Sequence, residues 1–77
     1  MLEKIKDIFI EELGCDPDVL QPQSRLREDL GVSSLEMLGV VLALEEQFSI
    51  TMEETEITAL QTFQDMADYI AEKESTQ

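Results

Sequence analysis

Apolar residues recur at three- and four-residue spacing from the start of the chain: Leu2, Ile5, Ile8, Phe9 and Leu13, with Glu3, Lys4, Asp7 and Glu11 between them. This period predicts an amphipathic helix over residues 1–14 with one stripe turned inward. Gly14 stands where a helix-ending glycine belongs. From 15 to 33 the period fails, which predicts a loop. Within it Asp16-Pro17 has the composition of a cap and first residue of a short turn, and Pro22 breaks regular structure. Val19 or Leu20, Leu26, Leu30 and Val32 are the apolar points able to pin this loop to a core. A connection of this length is unusual in a compact domain and is often functional.

Ser33 followed three residues later by Glu36 is a capping box, and it predicts a second helix over 34–47. Leu35, Leu38, Val41, Leu42 and Phe48 form its expected apolar stripe, with Glu36, Glu45 and Glu46 off it. Gly39 in its interior costs about 1 kcal/mol relative to Ala, so something is expected to approach closely there. Thr51-x-x-Glu54 repeats the capping box and predicts a short helix over 52–59. Thr62-x-x-Asp65 caps a last helix over 63–73, whose stripe is Phe63, Met66, Ala67 and Ile70, with 74–77 expected to fray. No stretch alternates as a strand would. The expected fold class is all-α: a single domain over 1–77, a small bundle of three main helices plus one short helix, with a long first loop.

Composition narrows what such a bundle can do. At 77 residues the chain allows one small domain. Its 18 acids against 5 bases give a net charge of −13, which disfavours nucleic acid and anionic membrane surfaces. No apolar run approaches the roughly 20 residues of a spanning helix, and charges interrupt Met1–Leu13 too often for a signal peptide. A monomeric cytoplasmic protein with no stable membrane insertion is expected. There is no His, so the commonest general base and metal ligand are missing. The lone Cys15 excludes an internal disulfide and a multi-cysteine zinc site, and is expected as a small core hydrophobe. No catalytic residue and no metal site is expected. The charge is also polarised: no base stands between Glu28 and Glu72, a span holding eleven acids, and such a field draws basic partners.

One residue offers a site. By the capping argument Ser34 is the first residue inside the second helix, with its hydroxyl at the loop–helix junction. A phosphate joined there would meet free backbone N–H groups and the positive end of the helix dipole.

Asp29-Leu30-Gly31-Val32-Ser33-Ser34-Leu35-Glu36 resembles the D-L-G-x-D-S-L-[DE] motif of acyl carrier proteins. Leu42-Ala43-Leu44-Glu45-Glu46-Gln47-Phe48 is similar to the family's A-L-E-E-x-F run, and the likeness reaches Asp68-Tyr69-Ile70 without a gap. The resemblance implies a non-catalytic carrier. A holo-synthase (phosphopantetheinyl transferase) would move 4'-phosphopantetheine from coenzyme A to Ser34, and the arm's thiol would hold an acyl chain as a thioester for acyl-transfer or condensing enzymes. It also implies a docking face for basic patches, carried by Ser33, Leu35, Glu36, Gly39, Glu45, Glu46, Met52 and Glu54. An acyl pocket would lie among Leu44, Met52, Leu60 and Tyr69.

Three positions depart from the family pattern. Ser33 replaces the usual Asp, keeping the cap and losing a charge; Gly39 and Thr58 stand where many fatty-acid carriers have acids. These departures point to a specialised carrier of polyketide, nonribosomal peptide, lipid or polysaccharide modification rather than a housekeeping fatty-acid member. The competing readings are an unmodified acidic interaction module or degenerate carrier, and a calcium-binding helix pair. The spacing opposes the latter: a loop begun at Asp16 puts Gln21 where Gly is required and Arg27 where the bidentate Glu is required. Weak divalent binding that relieves self-repulsion stays open.

Overall fold

The computed structural model describes residues 2–75. Four α-helices and one 3₁₀ turn follow in order: α1 (Leu2–Leu13), the turn (Pro17–Val19), α2 (Ser34–Phe48), α3 (Glu54–Thr58) and α4 (Phe63–Ser75). There is no strand among the described residues, only an isolated bridge between Arg25 and Thr62. The radius of gyration is 11.2 Å, close to the ~11–12 Å of a folded chain of this length.

The core is assembled from one face of each long helix. Ile5 and Phe9 of α1, Val40 and Leu44 of α2, and Phe63, Met66 and Ile70 of α4 are almost fully buried. Phe9 and Phe63 meet edge to face with centroids 5.2 Å apart, an arrangement favoured by their opposed ring quadrupoles. Leu2, expected in the α1 stripe, is exposed at the helix start, and Ile8 and Leu13 are half-buried. Gly14 ends α1 at φ +65°, in the left-handed region that any side chain would strain. Cys15 is half-buried and packs against the core; its thiol points at the Phe9 carbonyl, and burial pushes its pKa up.

The long first loop is tied down by main-chain bonds. Asp16 caps the 3₁₀ turn by accepting from the Asp18 N–H, with Pro17 as its first residue. Leu20, Leu26 and Val32 are buried and Leu30 is half-buried, while Val19 is exposed, so Leu20 rather than Val19 is the first pin. The Leu26 N–H donates to Gln61, the Phe63 N–H to Ser24 and the Gln64 N–H to Pro22, at 2.8, 2.8 and 3.0 Å, which fastens the loop to the α3–α4 connection. The buried Ser24 hydroxyl donates to the Val19 carbonyl and accepts from the Gln21 N–H, leaving no polar orphan.

Local signals set the starts of α2 and α4. Ser33 Oγ accepts from the Glu36 N–H at 3.2 Å and Glu36 Oε1 from the Ser33 N–H at 3.0 Å, a complete capping box. Thr62 and Asp65 do the same for α4, and Asp65 also accepts from the Gln61 N–H. Those N–H bonds, chiefly from Thr62, hold the Asp65 carboxyl below its ordinary pKa.

The short helix departs from expectation. Thr51 does not cap it: α3 spans Glu54–Thr58 rather than 52–59, begins after Glu53, and has no side-chain cap. Its entry is held from outside instead. Glu45 Oε2 accepts from the Met52 N–H at 2.8 Å, and the Tyr69 hydroxyl accepts from the Glu53 N–H at 3.1 Å. Tertiary partners thus satisfy donors that the local sequence was expected to satisfy. At the other ends, α2 runs one residue past the expected 47 to Phe48, closing at Ser49 in the left-handed region, and α4 runs two past the expected 73 to Ser75. Glu74 and Ser75 are therefore helical, and the expected fraying of 76–77 lies outside the described residues.

The largest correction concerns α2. Leu35, Leu38 and Leu42, expected in its inward stripe, are 78, 54 and 56% exposed. The buried residues are Val40, Val41 and Leu44, with Met37 and Phe48 half-buried beside them. This helix is apolar around most of its circumference, so the spacing of its apolar residues does not single out one face.

Candidate functional site

Gly31, at φ +66°, turns the chain into α2, and Val32 is buried just beyond it. The next two residues are exposed, Ser33 as the cap and Ser34 as the first helical residue. The capping box consumes the Ser33 and Glu36 N–H groups, and Met37 donates to the Ser33 carbonyl. Among the described residues nothing bonds the Ser34 hydroxyl or the N–H groups of Ser34 and Leu35. A group esterified to Ser34 therefore breaks no bond and finds two free donors beside it.

Ser33 and Ser34 stand on the rim of a cleft of about 480 Å³ between α2 and α3. Its walls are mostly apolar: Met37, Leu38, Val41 and Leu42 on one side, Met52 and Ile57 on the other. Glu45, Glu54, Thr58 and Arg27 complete the lining. An apolar trench that begins at an unbonded hydroxyl suits a flexible arm with an oily end.

The residues singled out from sequence do not all converge there. Ser33, Glu45, Met52 and Glu54 border the cleft, and Leu35 and Glu36 are exposed on the adjoining turn. Glu45 is half-buried and committed to the Met52 N–H, which gives it a structural task. Glu46 lies on another side of α2, in a groove shared with Ile8, Glu11 and Glu12 of α1. Gly39 faces α1 as well: a methyl added there would come 3.0 Å from Glu12 Oε1. The expected close approach is thus a carboxylate, and Glu12 brings to this spot an acid that the α2 sequence lacks.

Of Leu44, Met52, Leu60 and Tyr69, only Met52 touches the cleft. Leu44 is sealed in the core, Leu60 borders a polar depression with Arg25 and Gln61, and Tyr69 sits between α3 and α4. There the Tyr69 hydroxyl donates to Glu56 Oε1 at 2.7 Å, while Lys73 lies 3.3 Å from the same oxygen and 5.6 Å from the ring centroid. The phenol's bond, then Lys73, hold the Glu56 carboxyl below its ordinary pKa; burial and Glu56 push the phenol up. Sequence reasoning missed Met37, Leu38, Val41, Leu42 and Ile57 as a lining and Arg27 as its base. The available signal was the excess of apolar residues on α2 beyond what one buried face can use. Among the described residues no group of three or more acidic or sulfur side chains is placed to hold a metal ion.

A helical bundle with an unbonded hydroxyl on the rim of an apolar trench is a scaffold for a tethered group. The family model described as "Phosphopantetheine attachment site" matches residues 3–70. The chain is 39% identical over 70 residues to the acyl carrier protein of Bdellovibrio bacteriovorus, covering 91% of this chain and 90% of that one. It is 37% identical over 73 residues to the acyl carrier protein of Thermosynechococcus vestitus, covering 95% and 90%. With the acyl carrier protein of Campylobacter concisus the identity is 36% over 70 residues, covering 91% of each. The chain belongs to the phosphopantetheine-bearing acyl carrier protein family, and its function is that of a carrier. Among the described residues no helix is long and apolar enough to cross a membrane.

Proposed function

We propose that Ser34 is the attachment point of the 4'-phosphopantetheine arm, and that the chain works as a monomeric cytoplasmic carrier that catalyses no step itself. The observation that carries this reading is the exposed Ser34 hydroxyl, unbonded and on the rim of the apolar cleft. Its oxygen attacks the pantetheine-bearing phosphorus of coenzyme A, the bond between the two phosphates breaks, adenosine 3',5'-bisphosphate leaves, and the hydroxyl proton passes to the modifying enzyme or to water. When bound, the arm supplies a thiol that holds acyl groups as thioesters. The chain's own residues do the rest. Ser33 and Glu36 fix the turn that presents Ser34, and Met37, Leu38, Val41, Leu42, Met52 and Ile57 offer an apolar wall to arm and cargo.

Partner enzymes with basic patches dock on the acidic surface around this site. Of the expected contact set, Ser33, Leu35, Glu36, Glu45, Met52 and Glu54 lie at or beside the cleft, with Leu38 and Leu42 adding exposed apolar area, while Gly39 and Glu46 on the α1 side serve a partner that reaches around α2. A specialised biosynthetic role is supported by Ser33 and Thr58, which leave this face short of two charges; at Gly39 the deficit is offset by Glu12.

Intact mass after incubation with coenzyme A and a holo-synthase tests the reading. One phosphopantetheine on the native chain and none on Ser34→Ala is expected. Labelling of Ser34→Ala, or an unlabelled native chain with several promiscuous transferases, sinks it.

A further inference from the structure

The base on the wall of the Ser34 cleft is Arg27. It is exposed, and among the described residues its guanidinium joins no ion pair or hydrogen bond, in a chain holding 18 acids. Of the acids nearby, Glu54 also lines the cleft but forms no ion pair with Arg27, and four others are already engaged. Glu28 pairs with Arg25 at 2.6 Å, Asp29 accepts from the Arg25 N–H, Glu36 from the Ser33 N–H and Glu45 from the Met52 N–H. Local geometry thus leaves one cation uncommitted beside a serine with two free N–H donors at its side.

We propose that Arg27 holds the phosphodiester that joins the arm to Ser34, and is the positioning residue that lays the arm along the α2–α3 cleft. The proposal rests on Ser34 being the attachment point. A phosphodiester there is a single negative charge fixed one covalent bond from Ser34 Oγ, on the rim that Arg27 also lines. A guanidinium presents parallel N–H groups to the two free oxygens of such a group, a geometry that a lysine ammonium does not match. The field of a molecule with net charge −13 otherwise pushes a surface anion outward. Ser33 caps the helix with a neutral hydroxyl, so no carboxylate at that position competes for Arg27.

The test uses the full chain in apo and holo forms, with loading verified by intact mass. In the native chain the Arg27 Nε–Hε resonance should shift and exchange more slowly with water on conversion to holo, while that of Arg25, held by Glu28, stays put. In holo Arg27→Gln the phosphorus resonance should move toward that of an unbound phosphodiester, and contacts between arm protons and the Met52 and Ile57 methyls should be lost. Arg25→Gln removes the same charge outside the cleft and should leave both readouts native. Raising ionic strength to about 1 M, where screening acts within about 3 Å, should move the native phosphorus signal the same way. Arg27→Gln should melt as the native chain does, because the Arg27 guanidinium has no bonding partner among the described residues.

The proposal is overturned if the native Arg27 resonance is the same in apo and holo forms, or if Arg27→Gln leaves the phosphorus signal and arm contacts unchanged. It is also overturned if Arg27 responds only to a cargo ending in a carboxylate and not to a neutral cargo of equal length, since the anion would then belong to the cargo. A chain that takes no arm, or a labelled Ser34→Ala, shows up in the mass measurement and defeats the attachment site instead.

Discussion

The two sides of α2 carry the same kinds of residue and meet opposite fates. One side sends Val40 and Leu44, with no exposed surface, against Phe9, Phe63, Met66 and Ile70. The other leaves Leu35, Leu38 and Leu42 more than half in water, the last two lining a cleft whose far wall is the five-residue α3 and Leu35 on the turn beside it. Isolated exposed leucines are ordinary, but three on consecutive turns beside Ser34 make an apolar patch of the kind that marks contact surfaces. Apolar residues on the first side stabilise the fold. On the second side they stay exposed, where the proposed function gives them an arm, a cargo or a partner to meet.

The strongest way to break this contrast is to empty the first side. Phe9→Ala should cost on the order of 3–5 kcal/mol, a large part of the stability of a domain this small, read by denaturant melting. A loss under about 1 kcal/mol would mean that the packed side is no firmer than the open one. Ser33→Ala acts at the boundary between the two: it leaves the Glu36 N–H uncapped and should cost about 1 kcal/mol, while slowing modification of Ser34 because the turn presenting it frays. Tyr69→Phe should cost roughly 0.5–1.5 kcal/mol by freeing the Glu53 N–H and Glu56, and its effect should fall on hydrogen exchange in α3 rather than α1. Uniform loss of protection across all helices would refute that placement.

A smaller effect is set by pH. Asp65 has its pKa lowered by N–H bonds from Thr62 and Gln61, so its contribution is present at neutral pH and fades as pH falls through that lowered value. The melting temperature of Asp65→Asn should therefore lie below native at pH 7. The gap should close below the ordinary aspartate value of 3.8, and a gap independent of pH would contradict the assignment. At the small end, Leu38→Ser should change stability by no more than about 0.5 kcal/mol, yet weaken partner binding or arm transfer. If it destabilises like Phe9→Ala, the two faces of α2 are not distinct.

How much of this was legible in the sequence depends on whether a signal is local. Ser33–Glu36, Thr62–Asp65 and Asp16-Pro17 are closed by atoms three residues apart or fewer, and each was readable. Phe63, Met66, Ala67 and Ile70 are all buried as their spacing implies, because α4 has a polar face to contrast with them. On α2 no such contrast exists, so the stripe Leu35–Leu38–Leu42 was assigned to the core and the cleft lining was missed. The Thr51 cap failed because Glu45 and Tyr69, distant in sequence, hold the donors at the α3 entry. The exposed first-turn position of Ser34 was legible because it follows from one turn of chain. The surroundings of Ser34, Arg27 and the far wall of the trench, depend on how the long loop folds back.

That fold-back has a consequence for how such a protein can change. Met52 is fixed by Glu45, and from Gln61 onward the chain is fixed by main-chain bonds to Leu26, Ser24 and Pro22. The eight residues between, 53–60, form one wall of the trench while contributing no fully buried side chain. Exposed Glu54 and Thr58 can be exchanged to retune what the trench accepts, whereas Glu53 and Glu56, bonded to Tyr69, and Ile57 and Leu60, packed on the core, are tied to the frame.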